Sequence, residues 1–137
     1  MKSDPEFLAL LAEQLNSDQV GVYTRAMACL SRPIPARTDA EFRPFCSDNV
    51  QLQAQLDEIR VHLQYLRAKK TVVLLKNESK LKSNAKEYGA KNSEDRMAWC
   101  YQDTQHQLDK VEVDAMAAVA ERLHGAIWNL KAQMETI

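Results

Sequence analysis

The chain has 137 residues, 45% hydrophobic and 27% charged, with 3 Gly, 4 Pro and 3 Cys. That is enough for one domain with a modest core, and it excludes a multidomain enzyme. Three scattered glycines exclude a dinucleotide fingerprint or phosphate loop, and an odd number of cysteines without a C-x-x-C pair argues against a zinc knuckle or a disulfide framework. The net charge of −1 hides a partition: residues 1–59 hold five basic and nine acidic side chains, residues 60–91 hold nine and two, and residues 92–137 hold four and eight.

Few Gly and Pro among many Ala, Leu, Gln, Glu and Lys predict an all-α chain, because these side chains lose little rotamer freedom in a helix. Asp4 and Pro5 open a first helix bearing Phe7, Leu8, Leu11 and Leu15, which ends near Asn16. Ser17 or Asp18 caps a second helix through Val22, Tyr23, Ala26, Met27 and Leu30, which stops before Pro33. Residues 1–31 thus form short N-terminal helices, and residues 32–47, with Pro33, Pro35 and Pro44, form a loop.

Ser47 or Asp48 then starts a long helix with a heptad-like seam of Leu52, Leu56, Ile59, Leu63, Leu66 and Val73. Beyond residue 70 the apolar line shifts to Leu74, Leu81, Ala85 and Tyr88, and Gly89 ends the helix. Asn92 or Ser93 begins the last helix, whose stripe runs through Met97, Tyr101, Thr104, Leu108, Val111, Ala115, Val119, Leu123, Ile127, Leu130 and Met134. Over residues 48–137 the expected shape is a long antiparallel helical hairpin, with one domain over the whole chain. Its apolar stripes exceed what a hairpin covers alone, so the N-terminal helices or another subunit must cover the rest; a homo-oligomer is expected, with Leu123, Ile127, Leu130 and Met134 at the subunit interface.

No run approaches the ~20 apolar residues of a membrane span, and Asp4 and Glu6 stand where a signal peptide would be basic. The sequence therefore predicts a cytoplasmic protein without a membrane partner. Catalysis is not expected, and neither is a cofactor or a metal. Glu121-x-x-His124 is the single ligand-like pair, where a di-iron bundle needs two and further carboxylates. Cys100 and His106 lie six apart on different sides of a helix, with nothing to stabilise an oxyanion.

The basic block of residues 60–91 is the feature that points to a ligand. Arg67, Lys69, Lys70, Lys76, Lys80, Lys82, Lys86 and Lys91 form a cationic footprint for phosphate. Tyr65, Tyr88, Trp99 and Tyr101 lie near it. Trp99 is the more open and the better placed to stack on bases, Tyr101 is read as packing, and Trp128 as core or subunit interface. A lysine-rich face is equally the ordinary solvated side of a helix, and rings at this spacing are equally inter-helix packing.

The stretch Leu66-Arg-Ala-Lys-Lys-Thr-Val-Val-Leu-Leu-Lys76, then Ser93-Glu-Asp-Arg96, then Leu108-Asp-Lys-Val111 resembles the UvsY-like recombination mediators of tailed phages. The likeness covers roughly residues 48–137. It implies a non-enzymatic protein that binds single-stranded DNA and forms an oligomeric scaffold. Such a scaffold loads a RecA-like recombinase on strands covered by a single-strand-binding protein, here in the host cytoplasm. The family's basic patch falls on Lys69, Lys70 and Lys76, with Arg67 beside them. The competing readings are a helical adaptor or inhibitor that binds a protein, as in phage anti-defence, and a structural coiled coil.

Overall fold

The computed structural model describes residues 4–137, the side chain of Asp4 excepted, so the capping role read for Asp4 lies outside the described residues. The fold is all-α: 84% of the described residues are helical and none is in a strand. Among the described residues five helices follow one another, α1 (Asp4–Gln14), α2 (Ser17–Ser31), α3 (Phe42–Glu87), α4 (Ser93–Tyr101) and α5 (Thr104–Glu135). Two compact units divide the chain. The first comprises the chain up to Leu63 with Ala118–Ile137, and the second is Gln64–Ala117.

Local chemistry moves several of the expected boundaries. Asn16, rather than Ser17 or Asp18, caps α2: its side chain accepts the Gln19 N–H at 2.9 Å while the Gln19 side chain accepts the Asn16 N–H at 3.0 Å, a reciprocal capping box. The 32–47 loop is shorter than expected because α3 starts at Phe42. Pro44 falls in its first turn, where a missing N–H costs no helical bond. Gly89, with φ +95°, ends α3 in a Schellman motif, its N–H bonded to the Lys86 carbonyl and the Ala90 N–H to the Ala85 carbonyl. Asn92 caps α4 by accepting the Asp95 N–H at 2.9 Å.

The last helix is interrupted. Asp103 accepts the His106 N–H at 2.9 Å and so caps a new helix, which separates α4 from α5 at residues 102–103.

In the first unit, the inward faces of α2, the start of α3 and the end of α5 contribute Val22, Tyr23 and Ala26, Leu52, Leu56 and Ile59, and Leu123, Ile127 and Leu130, all buried. From α1, Phe7 meets the Tyr23 ring edge-on at 5.5 Å, and the Arg122 guanidinium sits 4.5 Å from the Phe7 centroid. A buried amide fixes the register of this core. Asn49 Nδ2 donates to the Leu130 carbonyl at 3.1 Å and to Gln133 Oε1 at 2.9 Å, while Gln133 Nε2 donates to the Cys29 carbonyl at 3.0 Å. Three helices are thereby tied through one satisfied polar network.

The expected subunit interface is corrected here. Leu123, Ile127 and Leu130 are consumed by the chain's own core, and Met134 is half-buried. Of the two readings of Trp128, core or subunit interface, the core one is corrected: the ring is exposed, because the inward face of α5 passes through residues 127 and 130 and leaves 128 outside.

In the second unit, Lys70 of α3 reaches Asp109 and Glu112 of α5, and Glu78 of α3 reaches His106. Within this unit the buried seam of α5 is His106, Asp109, Val113 and Met116, stepping by three or four. It differs from the expected stripe over residues 104–111, where Leu108 and Val111 lie outside and two polar residues lie inside. On α3 the shift beyond residue 70 is present: Leu74 and Ala85 are buried, and Leu66 and Val73 are exposed. Tyr88, expected on that line, is exposed because it lies past the last turn of the helix.

Candidate nucleic-acid interface

All nine residues expected to meet nucleic acid belong to the second unit. Arg67, Lys69, Lys76, Lys80 and Lys86 are exposed on α3, Lys82 is half-buried, Lys91 is exposed in the loop before α4, and Trp99 is on α4. They do not form one patch.

Lys70 is a different kind of residue. Its Nζ lies 2.8 Å from Glu112 Oε2 and 3.7 Å from Asp109 Oδ1, and the Asp109 side chain is only 5% exposed. Gln105 Nε2 donates to the same Asp109 oxygen at 2.9 Å. The hydrogen bond to Glu112, more than the charges of Glu112 and Asp109, holds the Lys70 ammonium above its ordinary value of 10.5. Its charge is therefore spent inside the unit, which corrects its assignment as a phosphate contact.

A raised lysine value means that the pair stabilises the fold fully below pH 10.5, and that this contribution is lost as pH rises through the higher folded-state value. Lys70→Ala would leave the Asp109 carboxylate buried without its cation, at a cost of about 1–3 kcal/mol. The expected result is a lower urea midpoint at neutral pH with unchanged salt dependence of nucleic-acid binding. An altered salt slope would return Lys70 to the binding surface.

A second polar layer lies two turns further along α3. His106 is 1% exposed, its Nε2 lies 2.7 Å from Glu78 Oε1, and its Nδ1 has no hydrogen-bond partner. The Nε2 contact ties α5 to α3 through the Glu78 carboxylate. Beside it the Cys100 Sγ lies 3.8 Å from the Glu78 carbonyl oxygen, and burial, followed by the Glu78 charge, pushes this thiol above its ordinary value. A protonated thiol in this setting is a packing group. Burial likewise raises the Cys29 thiol.

Where α3 meets α4, the side chains form a shallow open groove of about 450 Å³, lined by Ser79, Lys82, Ser83, Lys86 and Arg96 with Leu75 and Glu78. Three cations and two hydroxyls share this surface, while the one carboxylate in it is bonded to His106. Arg96 is absent from the cationic site read in the sequence because it stands beside Glu94 and Asp95 in an acidic stretch. Only the packing of α4 on α3 brings it to the lysines.

One turn beyond Arg96, the Trp99 ring stacks on Tyr88 with centroids 5.5 Å apart and planes 11° from parallel. Trp99 is 37% and Tyr88 76% exposed, so the stack keeps open ring surface. Tyr101, read as packing, is more exposed than Trp99, because it is the last residue of α4; its ring meets the His106 ring edge-on at 5.8 Å. Tyr65 lies apart from the groove, under Lys69 Nζ at 5.4 Å.

No family model, curated protein or solved structure matches the chain. Among the described residues no helix is long and apolar enough to cross a membrane.

Proposed function

We propose that the protein is a non-enzymatic accessory factor that binds single-stranded DNA along the groove between α3 and α4. The observation that carries this reading is the convergence of Lys82, Lys86 and Arg96 with Ser79 and Ser83, next to the Tyr88–Trp99 stack. Cations and hydroxyls take phosphate oxygens without regard to sequence, and an exposed ring takes any base face. A single strand presents unstacked bases to such a ring, whereas duplex bases are already stacked on one another.

The UvsY-like resemblance supports the wider role of a scaffold that loads a RecA-like recombinase on strands held by a single-strand-binding protein in a host cytoplasm. In this reading α3 and α5 form an antiparallel hairpin that carries the groove. Lys69, Lys76, Lys80 and Arg67 contribute long-range attraction more than contact, and Lys91 extends the cationic edge beyond Gly89.

Binding to a fluorescent poly-dT oligonucleotide across a salt series tests the proposal. In a Trp128→Phe host, poly-dT is expected to quench the remaining tryptophan. Trp99→Ala is expected to weaken binding by about 1–3 kcal/mol per stacked base with little change in salt slope. Absence of binding at low salt would reject the DNA reading in favour of a protein-binding adaptor. Binding without quenching would keep DNA and return Trp99 to packing.

A further inference from the structure

We infer that the groove between α2 and α3 in the first unit binds an acidic amphipathic helix of a partner protein, through two carboxylates set one heptad apart. The inference concerns the other unit and does not rest on the DNA reading.

The groove has a volume of about 370 Å³, and every residue that lines it lies in the first unit. Ala28, Cys29 and Leu52 supply its apolar surface. Arg25 and Arg32 stand on the α2 side, and Gln51 and Gln55 on the α3 side. Both arginines are exposed. Other arginines of the unit are occupied within the chain: Arg37 donates to the Ile137 carbonyl, Arg60 pairs with Asp57 at 2.7 Å, and Arg122 lies over the Phe7 ring. Among the described residues the Arg25 guanidinium meets no acceptor. That of Arg32 lies over the Phe45 ring, 4.9 Å from its centroid, with no carboxylate bonded to it. The Gln51 and Gln55 amides are likewise without a hydrogen-bond partner among the described residues. Two cations and two amides therefore share one groove with their bonding capacity unused.

Spacing and chemistry select the occupant. Arg25 and Arg32 are seven residues apart, which is about 10 Å along α2 at 1.5 Å per residue and returns to nearly the same face. A helix laid along the groove repeats that geometry. Carboxylates at its positions i and i+7 meet the two guanidinium groups, and small apolar side chains at i+3 and i+4 fall between them on Ala28, Cys29 and Leu52. A guanidinium takes a carboxylate through two parallel hydrogen bonds, and each glutamine amide can both donate and accept at the rim. A nucleic-acid strand fits this groove less well. None of its lining side chains is aromatic, so bases have nothing to stack on. The Asp48 carboxylate in its wall, with nine acids against five bases in residues 1–59, repels a polyanion more than it repels two discrete carboxylates.

The test is fluorescence anisotropy on the full chain with a fluorescein-labelled, alanine-based helical peptide that carries two glutamates one heptad apart, with leucine and alanine between them. A control peptide of the same composition sets the glutamates on opposite sides of the helix. Exposed ion pairs are individually weak and screened by salt, so the matched peptide is expected to bind weakly and to loosen as salt rises. Arg25→Ala/Arg32→Ala is expected to lower its affinity by about tenfold, and Asp48→Asn to raise it. Arg25→Lys/Arg32→Lys keeps the charge without the planar fork and is expected to recover part of the loss. All three positions are exposed, so the melting transition is expected to stay near the parent's. A parent that does not bind the matched peptide would overturn the inference, as would equal binding of the matched and control peptides or unchanged affinity in the double alanine variant. A double alanine variant that loses affinity for poly-dT and keeps it for the peptide would overturn it too, and would make the groove a nucleic-acid contact.

Discussion

Ending the chain at residue 120 is expected to abolish cooperative unfolding, with the helical signal falling well below that of the intact protein. The cut removes Leu123, Ile127 and Leu130, all buried, and with them the Leu130 carbonyl and the Gln133 amide that satisfy buried Asn49. Losing one such leucine to alanine costs about 2–5 kcal/mol, so three together match the whole stability of an ordinary domain, about 5–15 kcal/mol. Orphaning Asn49 adds the cost of a buried amide without partners. Thermal melts by circular dichroism check this, with Leu130→Ala as the graded control expected to lose about 2–5 kcal/mol while still folding. A truncated protein with the parent's melting transition would show that the end of α5 lies outside the core and would return it to the subunit interface read from the sequence.

Alanine at Lys82, Lys86 and Arg96 together is expected to produce the largest loss of DNA binding without loss of fold. If each side chain neutralises one phosphate, the slope of log affinity against log salt becomes shallower by about 2, at roughly 0.7 per contact on a single strand. Alanine is a strong helix former, and none of the three is buried, so the melting transition is expected to stay near the parent's. Alanine at Lys69 and Lys76 serves as the comparison. These lysines carry similar charge on the same helix but lie outside the groove, and their removal is expected to lower affinity with a smaller change of slope. Equal slopes for the two variants would mean that the strand follows the whole basic face of α3 and that the groove has no special standing.

The contrast between the two variants bears on what a charge count reveals. Nine basic residues in residues 60–91 locate a cationic region, but they leave open which ammonium groups face water. Lys70 and Lys69 are neighbours in sequence and opposites in role. The first is turned toward Asp109 and Glu112, and the second lies over the Tyr65 ring on the outside. The sorting depends on which face of α3 meets α5, a fact held by residues some forty positions away.

The helical content was legible in the sequence, since propensity, Pro5, Gly89 and the Asn92 cap act over a few residues and need no partner, but the break between α4 and α5 and the early start of α3 at Phe42 were not. The seam of α3 through Leu52, Leu56, Ile59 and Leu63 was legible too, and so was its change of register beyond Lys70. The inward face of α5 was not. Hydrophobicity alone selects Leu108 and Val111, whereas the buried positions are His106 and Asp109, which are tolerable inside only because Glu78 and Lys70 stand opposite them. A buried polar residue is costly alone and acceptable when paired, so its place is decided by a partner helix. The same reason hid Arg96 from the basic site and misplaced the interface at Leu123, Ile127 and Leu130. Periodicity identifies a face that must be covered, but only the tertiary structure decides whether the chain itself covers it, because covering is a contact between segments distant in sequence.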